Sequence, residues 1–175
     1  MVVRRMRVHT PGAYPYTDGM HYRTFGSIHD CVSALGFGAM RFPTRSDGSV
    51  DEQTAVDMIR TAIDGGVNYV DTAYPYHGGE SERIVGKALE NGYREKVLLA
   101  DKLPIWMVNK REDFPLILET QLERLTDEHI DLYLIHALNG ERWKKTKELG
   151  ILEEAERARS EGKIGHIGFS FHDEY

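Results

Sequence analysis

Four side chains capable of acid–base chemistry stand where short apolar runs of the sequence stop. Asp71, Lys102 and His136 each end or closely follow such a run, and Tyr76 comes shortly after Asp71. If the runs are neighbouring parallel strands, their carboxyl ends lie at one edge of the sheet, and the four side chains meet there. The sequence therefore predicts one site that holds a carboxylate, a phenol, an ammonium and an imidazole.

This combination suits the reduction of a carbonyl group. Hydride added to a carbonyl carbon leaves an alkoxide that needs a proton, and we expect Tyr76 to supply it. A phenol is a poor acid at neutral pH unless its anion is stabilised, which the ammonium of Lys102 would do while Asp71 holds that ammonium in place. His136 would donate a hydrogen bond to the carbonyl oxygen. Taken singly, these residues have ordinary interpretations as ion-pair, packing or core residues, so the prediction rests on their combination.

The elements that must position this site follow an alternating pattern. Five short runs rich in apolar and β-branched residues predict strands at 35–40, 67–71, 97–100, 132–136 and 164–169. Amphipathic stretches between them predict helices at 55–63, 84–89 and 114–125, and a fourth helix from Ile151 that ends at Gly162. Ser49 and Glu52 have the spacing of a capping box at the start of the first helix.

This alternation predicts an α/β fold with a parallel sheet. The strand starts recur about every 30 to 35 residues, the spacing of one βα unit of a TIM barrel. A closed barrel needs eight units in about 250 residues, so 175 residues predict a partial barrel with about five of the eight units. By length alone, a doubly wound sheet of five strands is also allowed. We expect a disordered extension over 1–19 and the partial barrel over 20–175, with a hairpin pairing 22–25 with 31–32.

The motifs that carry the four residues resemble those of the aldo/keto reductase family. The segments DTAYPY at 71–76, ADKLP at 100–104 and LIH at 134–136 are similar to the family segments that hold its Asp, Tyr, Lys and His tetrad. LGFG at 35–38 resembles the family's first strand, and GKI at 162–164 with GFS at 168–170 resembles its fifth. The resemblance covers about residues 20–173. It is nearest to a microbial branch whose longer members carry a C-terminal ferredoxin-like iron–sulfur domain.

The resemblance implies a TIM barrel and an NAD(P)H-dependent oxidoreductase that reduces an aldehyde or ketone. It assigns catalysis to Asp71, Tyr76, Lys102 and His136. It implies contacts with the cofactor, NADP in preference to NAD, at Gly38, Ala39, Met40, Asp71 and Ser170. Trp106 is expected to line the substrate pocket. Phe171 stands where the family usually has Asn, and the family's cofactor-binding loops after strands six to eight are not in this sequence.

Composition narrows the partners to small molecules. The formal net charge of −6 and the pI near 5.7 disfavour nucleic acid and anionic membranes, which bind basic surfaces. No run of about 18 apolar residues suggests a membrane span. The single cysteine, Cys31, leaves no internal disulfide and no thiolate zinc or iron–sulfur site, which predicts a cytoplasmic protein. His166 and His172 would lie about 20 Å apart along a strand, too far to share a metal ion.

Two functions remain open from the sequence. One is a carbonyl reductase that uses the site above. The other is a truncated, catalytically silent half-barrel that associates with itself or with a partner chain through open strand edges. In both cases unpaired edges and an open apolar interior favour a homo-oligomer. A metal-dependent hydrolase of the barrel type is disfavoured, because a His-x-His motif after the first strand is absent.

Overall fold

A hairpin precedes the main sheet. The computed structural model describes residues 19–28 and 31–173, so the predicted extension lies outside the described residues except for Gly19. Strand β1 (Tyr22–Thr24) pairs antiparallel with strand β2 (Cys31–Ser33). The predicted hairpin is confirmed, with a first strand one residue shorter and a second strand one residue longer than expected.

Five parallel strands form the main sheet in chain order. They are β3 (Phe37–Gly38), β4 (Tyr69–Asp71), β5 (Leu98–Leu103), β6 (Ile130–Leu138) and β7 (Ile164–Phe171). Each strand pairs with the next along the chain, whereas a doubly wound sheet reverses its strand order at a switch point. Serial order is that of a (β/α) barrel, so the predicted partial barrel is confirmed. Within the described residues β7 does not pair with β3, and the sheet is open.

Helices connect the strands. They are α1 (Glu52–Asp64), α2 (Glu80–Ala88), α3 (Asp113–Leu125), α4 (Gly140–Glu148) and α5 (Ile151–Ser160). All were predicted except α4. The predicted capping box of α1 is wrong, because Asp51 directly precedes the helix and accepts the N–H of Thr54 at 3.4 Å, while Ser49 bonds to Asp47. No helix in the described part of the chain is long and apolar enough to cross a membrane.

Two apolar clusters cover the two faces of the sheet. The larger lies between the strands and the helices. The smaller lies on the opposite face, where Leu98, Ala100 and Leu132 pack against Ile28 and Val32 of the hairpin region. Successive residues of a strand point to opposite faces, so β5 contributes to both clusters. The hairpin therefore covers part of the face that a closed barrel would enclose.

Helices α2 and α3 approach each other closely at Gly86. A Cβ at this glycine would lie 2.4 Å from the backbone oxygen of Leu125, the last residue of α3. Real Cβ atoms do not approach a backbone oxygen so closely, so only glycine fits here without a shift of one helix. The contact fixes the spacing of two neighbouring βα units, the ones that carry Tyr76 and Lys102.

The connections divide between the two edges of the sheet. Those that follow β4 and β5 begin at the carboxyl edge and carry Tyr76 and Trp106. The turns that precede β4, β5 and β7 contain Gly66, Gly92 and Gly162, each with a positive φ, and lie at the amino edge. The candidate site residues thus belong to the carboxyl edge, where sites of (β/α) barrels are built.

Candidate active site

Lys102 lies at the centre of the predicted catalytic group. Its side chain is 6% exposed. The ammonium forms an ion pair with Asp71, at the end of β4, and donates hydrogen bonds to the backbone oxygen of Thr72 at 2.7 Å and to the Tyr76 hydroxyl at 3.3 Å. Asp71 keeps 28% of its side chain exposed. The ammonium that the sequence predicted to meet a carboxylate and a phenol is therefore in direct contact with both.

A tight turn after β4 presents Tyr76 to Lys102. Tyr76 begins a 3-10 turn, Tyr76–Gly79, in which His77 has a φ of 51°. The Nε2 atom of His77 accepts the N–H of Phe42 at 3.1 Å, and the two rings stack with centroids 5.2 Å apart. An Nε2 that accepts a hydrogen bond carries no proton. These contacts tie the turn that carries Tyr76 to the loop after β3.

His136 completes the group from β6. Its ring meets the Tyr76 ring edge-on with centroids 5.8 Å apart, and the residue is 8% exposed. Its Nδ1 atom is buried and has no hydrogen-bond partner in the described part of the chain. Burial, followed by the charges of Lys102, His172 and Arg142, lowers the pKa of His136 from 6.5 to about 4. The imidazole is therefore neutral at neutral pH and has one N–H to donate.

Strand β6 is bulged directly after His136. Its register with β7 shifts at this point, and Ala137 has a φ of 52°. The N–H of Ala137 donates to Ser170 Oγ at 2.7 Å, and its carbonyl oxygen accepts from Arg142 Nη1 at 2.6 Å. A bulge changes the direction of the side chains beside it. Ser170 and Arg142 thus hold the backbone conformation that orients His136.

Trp106 and Arg142 lie beside the imidazole. The Trp106 ring centroid is 5.1 Å from that of His136, and the Arg142 guanidinium is 5.1 Å from the indole centroid. Trp106 is 38% exposed, so part of its surface remains available to a substrate. Arg142 belongs to α4 and was missed from the sequence. The signal that would have found it is Asn139, a typical N-cap residue whose side chain accepts the Arg142 N–H at 2.8 Å.

The predicted cofactor contacts of the first barrel strand lie beside Asp71. Gly38 is opposite Asp71 in the pairing of β3 with β4, and the N–H of Ala39 donates to the Asp71 carbonyl oxygen at 2.8 Å. A Cβ at Gly38 would have no described atom within 4 Å. Ala39 is fully buried and Met40 is 51% exposed. Ser170, the remaining predicted contact, lies on the far side of the site at the β6 bulge.

Buried polar side chains that were not predicted connect β3 and β4 to helix α2. Ser81, in the first turn of α2, donates its hydroxyl to the carbonyl oxygen of Ala39 at 3.0 Å and lies 2.9 Å from Thr72 Oγ1. Its side chain therefore joins the ends of β3 and β4, where Gly38 and Asp71 lie. A serine near a helix start is common in any protein, so the sequence alone gave it no distinction.

Comparison with known proteins identifies the family. The sequence profile of the aldo/keto reductase family matches residues 34–174. The chain belongs to the aldo/keto reductase family. It is 36% identical to the aldo-keto reductase YhdN of Bacillus subtilis (strain 168) over 125 residues, which cover 67% of this chain and 38% of YhdN. It is 33% identical to the methylglyoxal reductase YeaE of Escherichia coli (strain K12) over 118 residues, 67% of this chain and 39% of YeaE.

Solved structures of the family share the fold. The holo form of the aldo-keto reductase AKR11C1 from Bacillus halodurans matches with a TM-score of 0.73 at 29% identity, over 87% of this chain and 50% of that one. An aldo-keto reductase from Klebsiella pneumoniae in complex with NADPH matches with a TM-score of 0.72 at 29% identity, over 88% of this chain and 50% of that one. This family member thus spans about half or less of the length of these relatives.

Proposed function

We propose that this chain carries a site for the reduction of an aldehyde or ketone by a nicotinamide cofactor, NADPH in preference to NADH. The observation that carries the proposal is the contact of one ammonium, that of Lys102, with both Asp71 and the Tyr76 hydroxyl, beside a neutral His136. Two relatives support the substrate class and the cofactor, since YeaE is a methylglyoxal reductase and the Klebsiella structure contains NADPH.

In the proposed reaction, Tyr76 gives its hydroxyl proton to the oxygen of the substrate carbonyl. Lys102, 3.3 Å from that hydroxyl, stabilises the phenolate that remains, and Asp71 keeps the ammonium in position. The neutral imidazole of His136 donates its N–H to the same carbonyl oxygen and thereby orients the carbonyl group. NADPH, when bound, supplies the hydride.

The residues present fit the nicotinamide end of this cofactor. A flat ring can approach the backbone at Gly38, because no described atom lies where a Cβ would point. Ser170 Oγ accepts the Ala137 N–H and retains its own O–H to donate to a carboxamide oxygen. We propose that these residues, with Asp71 and Met40, hold the ring at the carboxyl edge. The described residues contain no group of three or more His, Cys, Asp or Glu suited to a metal ion, and the proposal includes none.

The test is NADPH oxidation by the purified chain with an activated carbonyl such as 4-nitrobenzaldehyde. Tyr76→Phe should lower kcat by about 100-fold or more, the usual contribution of a positioned acid. Tyr74→Phe is the matched control, because Tyr74 lies in the same loop but packs under Arg124, with the guanidinium 4.3 Å from its ring centroid. The control should keep the wild-type rate. Equal rates for Tyr76→Phe and the wild type would exclude Tyr76 as the acid.

A second candidate function, a silent chain that self-associates, is favoured by the exposed edges of the sheet. In the described part of the chain β7 is an edge strand, and Phe169 on it is 61% exposed. Leu35, just before β3 at the other edge, is 63% exposed. Apolar side chains on an edge strand promote pairing with another copy. We propose a homo-oligomer that buries these residues, with or without turnover.

We also propose a cytoplasmic location and a small-molecule partner in place of nucleic acid or membrane. The net charge of −6 and the single cysteine support both parts of this proposal.

A further inference from the structure

A group of buried polar side chains packs behind Lys102, away from the contacts with Asp71 and Tyr76. Four of its members are at most 2% exposed: Glu82 of α2, Asp101 of β5, Gln121 of α3 and Tyr133 of β6. Arg124 of α3 joins them at the surface side. We call these five residues the buried polar cluster. The reaction proposed above gives none of them a role.

The hydrogen bonds of the buried polar cluster converge on Gln121 and Glu82. The Gln121 amide nitrogen donates to Glu82 Oε1 and to the carbonyl oxygen of Lys102, both at 3.1 Å. The Gln121 amide oxygen accepts the Tyr133 hydroxyl at 2.5 Å. Arg124 Nη1 donates to Glu82 Oε2 at 2.8 Å. Both donors and the acceptor of the Gln121 amide are thus in use, and each oxygen of Glu82 has a donor.

In the described part of the chain, only one of the two carboxyl oxygens of Asp101 has a hydrogen-bond donor. Its Oδ1 atom accepts the N–H of Lys102 at 2.7 Å. Its Oδ2 atom is buried and has no hydrogen-bond partner among the residues that the structure describes. The neighbouring Glu82 side chain is an acceptor when ionised, and two carboxylates cannot bond to each other without a proton. Burial, and then the charge of Glu82, raise the pKa of Asp101 well above its usual value.

We propose that Asp101 and Glu82 share one proton, carried on Asp101 Oδ2 and donated to Glu82, and that this pair positions Lys102. The proton resides on Asp101 because both oxygens of Glu82 already accept hydrogen bonds, from Gln121 and from Arg124. Asp101 then holds the N–H of Lys102 while Gln121 holds its carbonyl oxygen. The part of the proposal that concerns catalysis rests on the function proposed for Lys102; the shared proton does not.

The charges around the pair make the arrangement sensitive to alkaline pH. Glu82 lies beside Asp101 on the helix side and is itself paired with Arg124, and Tyr133 lies beside Asp101 on β6. The charge of Lys102 acts on Asp101 from the opposite face of the same strand. Arg124 also lies over the Tyr74 ring. Burial and the two carboxyl groups raise the pKa of Tyr133, so this hydroxyl stays protonated. With Asp101 neutral, the charge of Glu82 is therefore matched by the charge of Arg124. Ionisation of Asp101 would place a second negative charge beside Glu82 and separate the two side chains.

Asp101→Asn is the informative variant, with Asp101→Ala as its control. Asparagine keeps the shape of a protonated aspartate, since its amide can donate to Glu82 and accept from Lys102. The variant never has to take up a proton on folding. Its folding equilibrium constant relative to wild type should therefore rise about tenfold per pH unit from about pH 4 up to the folded-state pKa of Asp101. Asp101→Ala loses both bonds and should be less stable than Asp101→Asn at every pH.

Two measurements decide the proposal without any turnover. Denaturant unfolding of the wild type and Asp101→Asn at a series of pH values gives the ratio of their folding equilibrium constants. Carbon-13 NMR of the Asp101 carboxyl group gives its titration directly. An Asp101 carboxyl that is ionised at pH 7, or an Asp101→Asn variant less stable than wild type at that pH, would overturn the shared proton. The NMR signals of the Lys102 side chain should be unchanged in Asp101→Asn and shifted in Asp101→Ala. Unshifted signals in both variants would overturn the positioning role.

Discussion

His136 should make the stability of the chain depend on pH below neutrality. In an unfolded chain its pKa is near the ordinary 6.5, whereas in the folded chain burial and neighbouring cations lower it to about 4. The unfolded state therefore binds this proton more tightly than the folded state. The stability that His136 contributes is present above about pH 6.5 and is lost as the pH falls through 4.

The magnitude follows from the difference between the two pKa values. One pKa unit corresponds to about 1.4 kcal/mol, so the free energy of unfolding should fall by about 3 kcal/mol between pH 7 and pH 4 through this residue alone. The surroundings explain a value of this size. The residue is 8% exposed, and in the described part of the chain its Nδ1 atom has no acceptor for a second proton.

His136→Gln isolates this effect, because glutamine is polar and takes up no proton in this range. Urea unfolding of both proteins at pH 7 and pH 4 gives the difference in free energy of unfolding at each pH. Between pH 7 and pH 4, the free energy of unfolding of the wild type should fall by about 3 kcal/mol more than that of His136→Gln. The contributions of the other histidines are the same in both proteins and cancel in this comparison. An NMR titration of the imidazole is the independent check. A pKa near 6.5, or a difference that does not change with pH, would refute the reasoning.

Two further changes test the packing and the edges of the sheet. Gly86→Ala should destabilise the fold by about 1 to 3 kcal/mol in thermal or denaturant unfolding, because the new Cβ would lie 2.4 Å from the backbone oxygen of Leu125. Gly140→Ala, with no described atom within 4 Å of the new Cβ, should have little effect, and equal effects of the two would contradict the close contact. Size-exclusion chromatography with light scattering should show the wild type above its monomer mass of 20.0 kDa and Phe169→Lys nearer to it. A wild type that elutes as a single 20.0 kDa species would rule out the proposed self-association.

Much of the fold was predictable because the hydrophobic periodicity of the sequence and the positions of its turn-forming residues indicate the same elements. Each predicted strand of the main sheet is present, and the serial pairing places Asp71, Lys102 and His136 at one edge. Helix α4 was not predicted because its polar and charged residues leave almost no apolar stripe, and Thr146 is its one buried residue. A helix of this kind is stabilised by its cap and its ion pairs, which hydrophobic periodicity does not detect.

The side chains that hold the site residues in place were less predictable than the site residues themselves. Contacts between distant segments, such as Ser170 with the β6 bulge and Gln121 with Glu82, depend on how elements pack and leave no local pattern. Asp101 is instructive, because an aspartate directly before a lysine in the sequence would be interpreted as its ion-pair partner. Strand alternation turns the two side chains to opposite faces, so Asp101 is buried towards the helices while Lys102 meets Asp71.

The division of the connections between two edges has a practical consequence for attaching probes. The turns at Gly92 and Gly162 lie at the edge opposite the site, and both glycines are exposed. Their positive φ favours glycine, so a probe belongs on a neighbouring residue of the turn. Strand β5 has six residues and so separates the two edges by about 20 Å. A fluorescent dye, an affinity tag or a surface tether placed in these turns would report on the chain, or immobilise it, without touching the carboxyl edge.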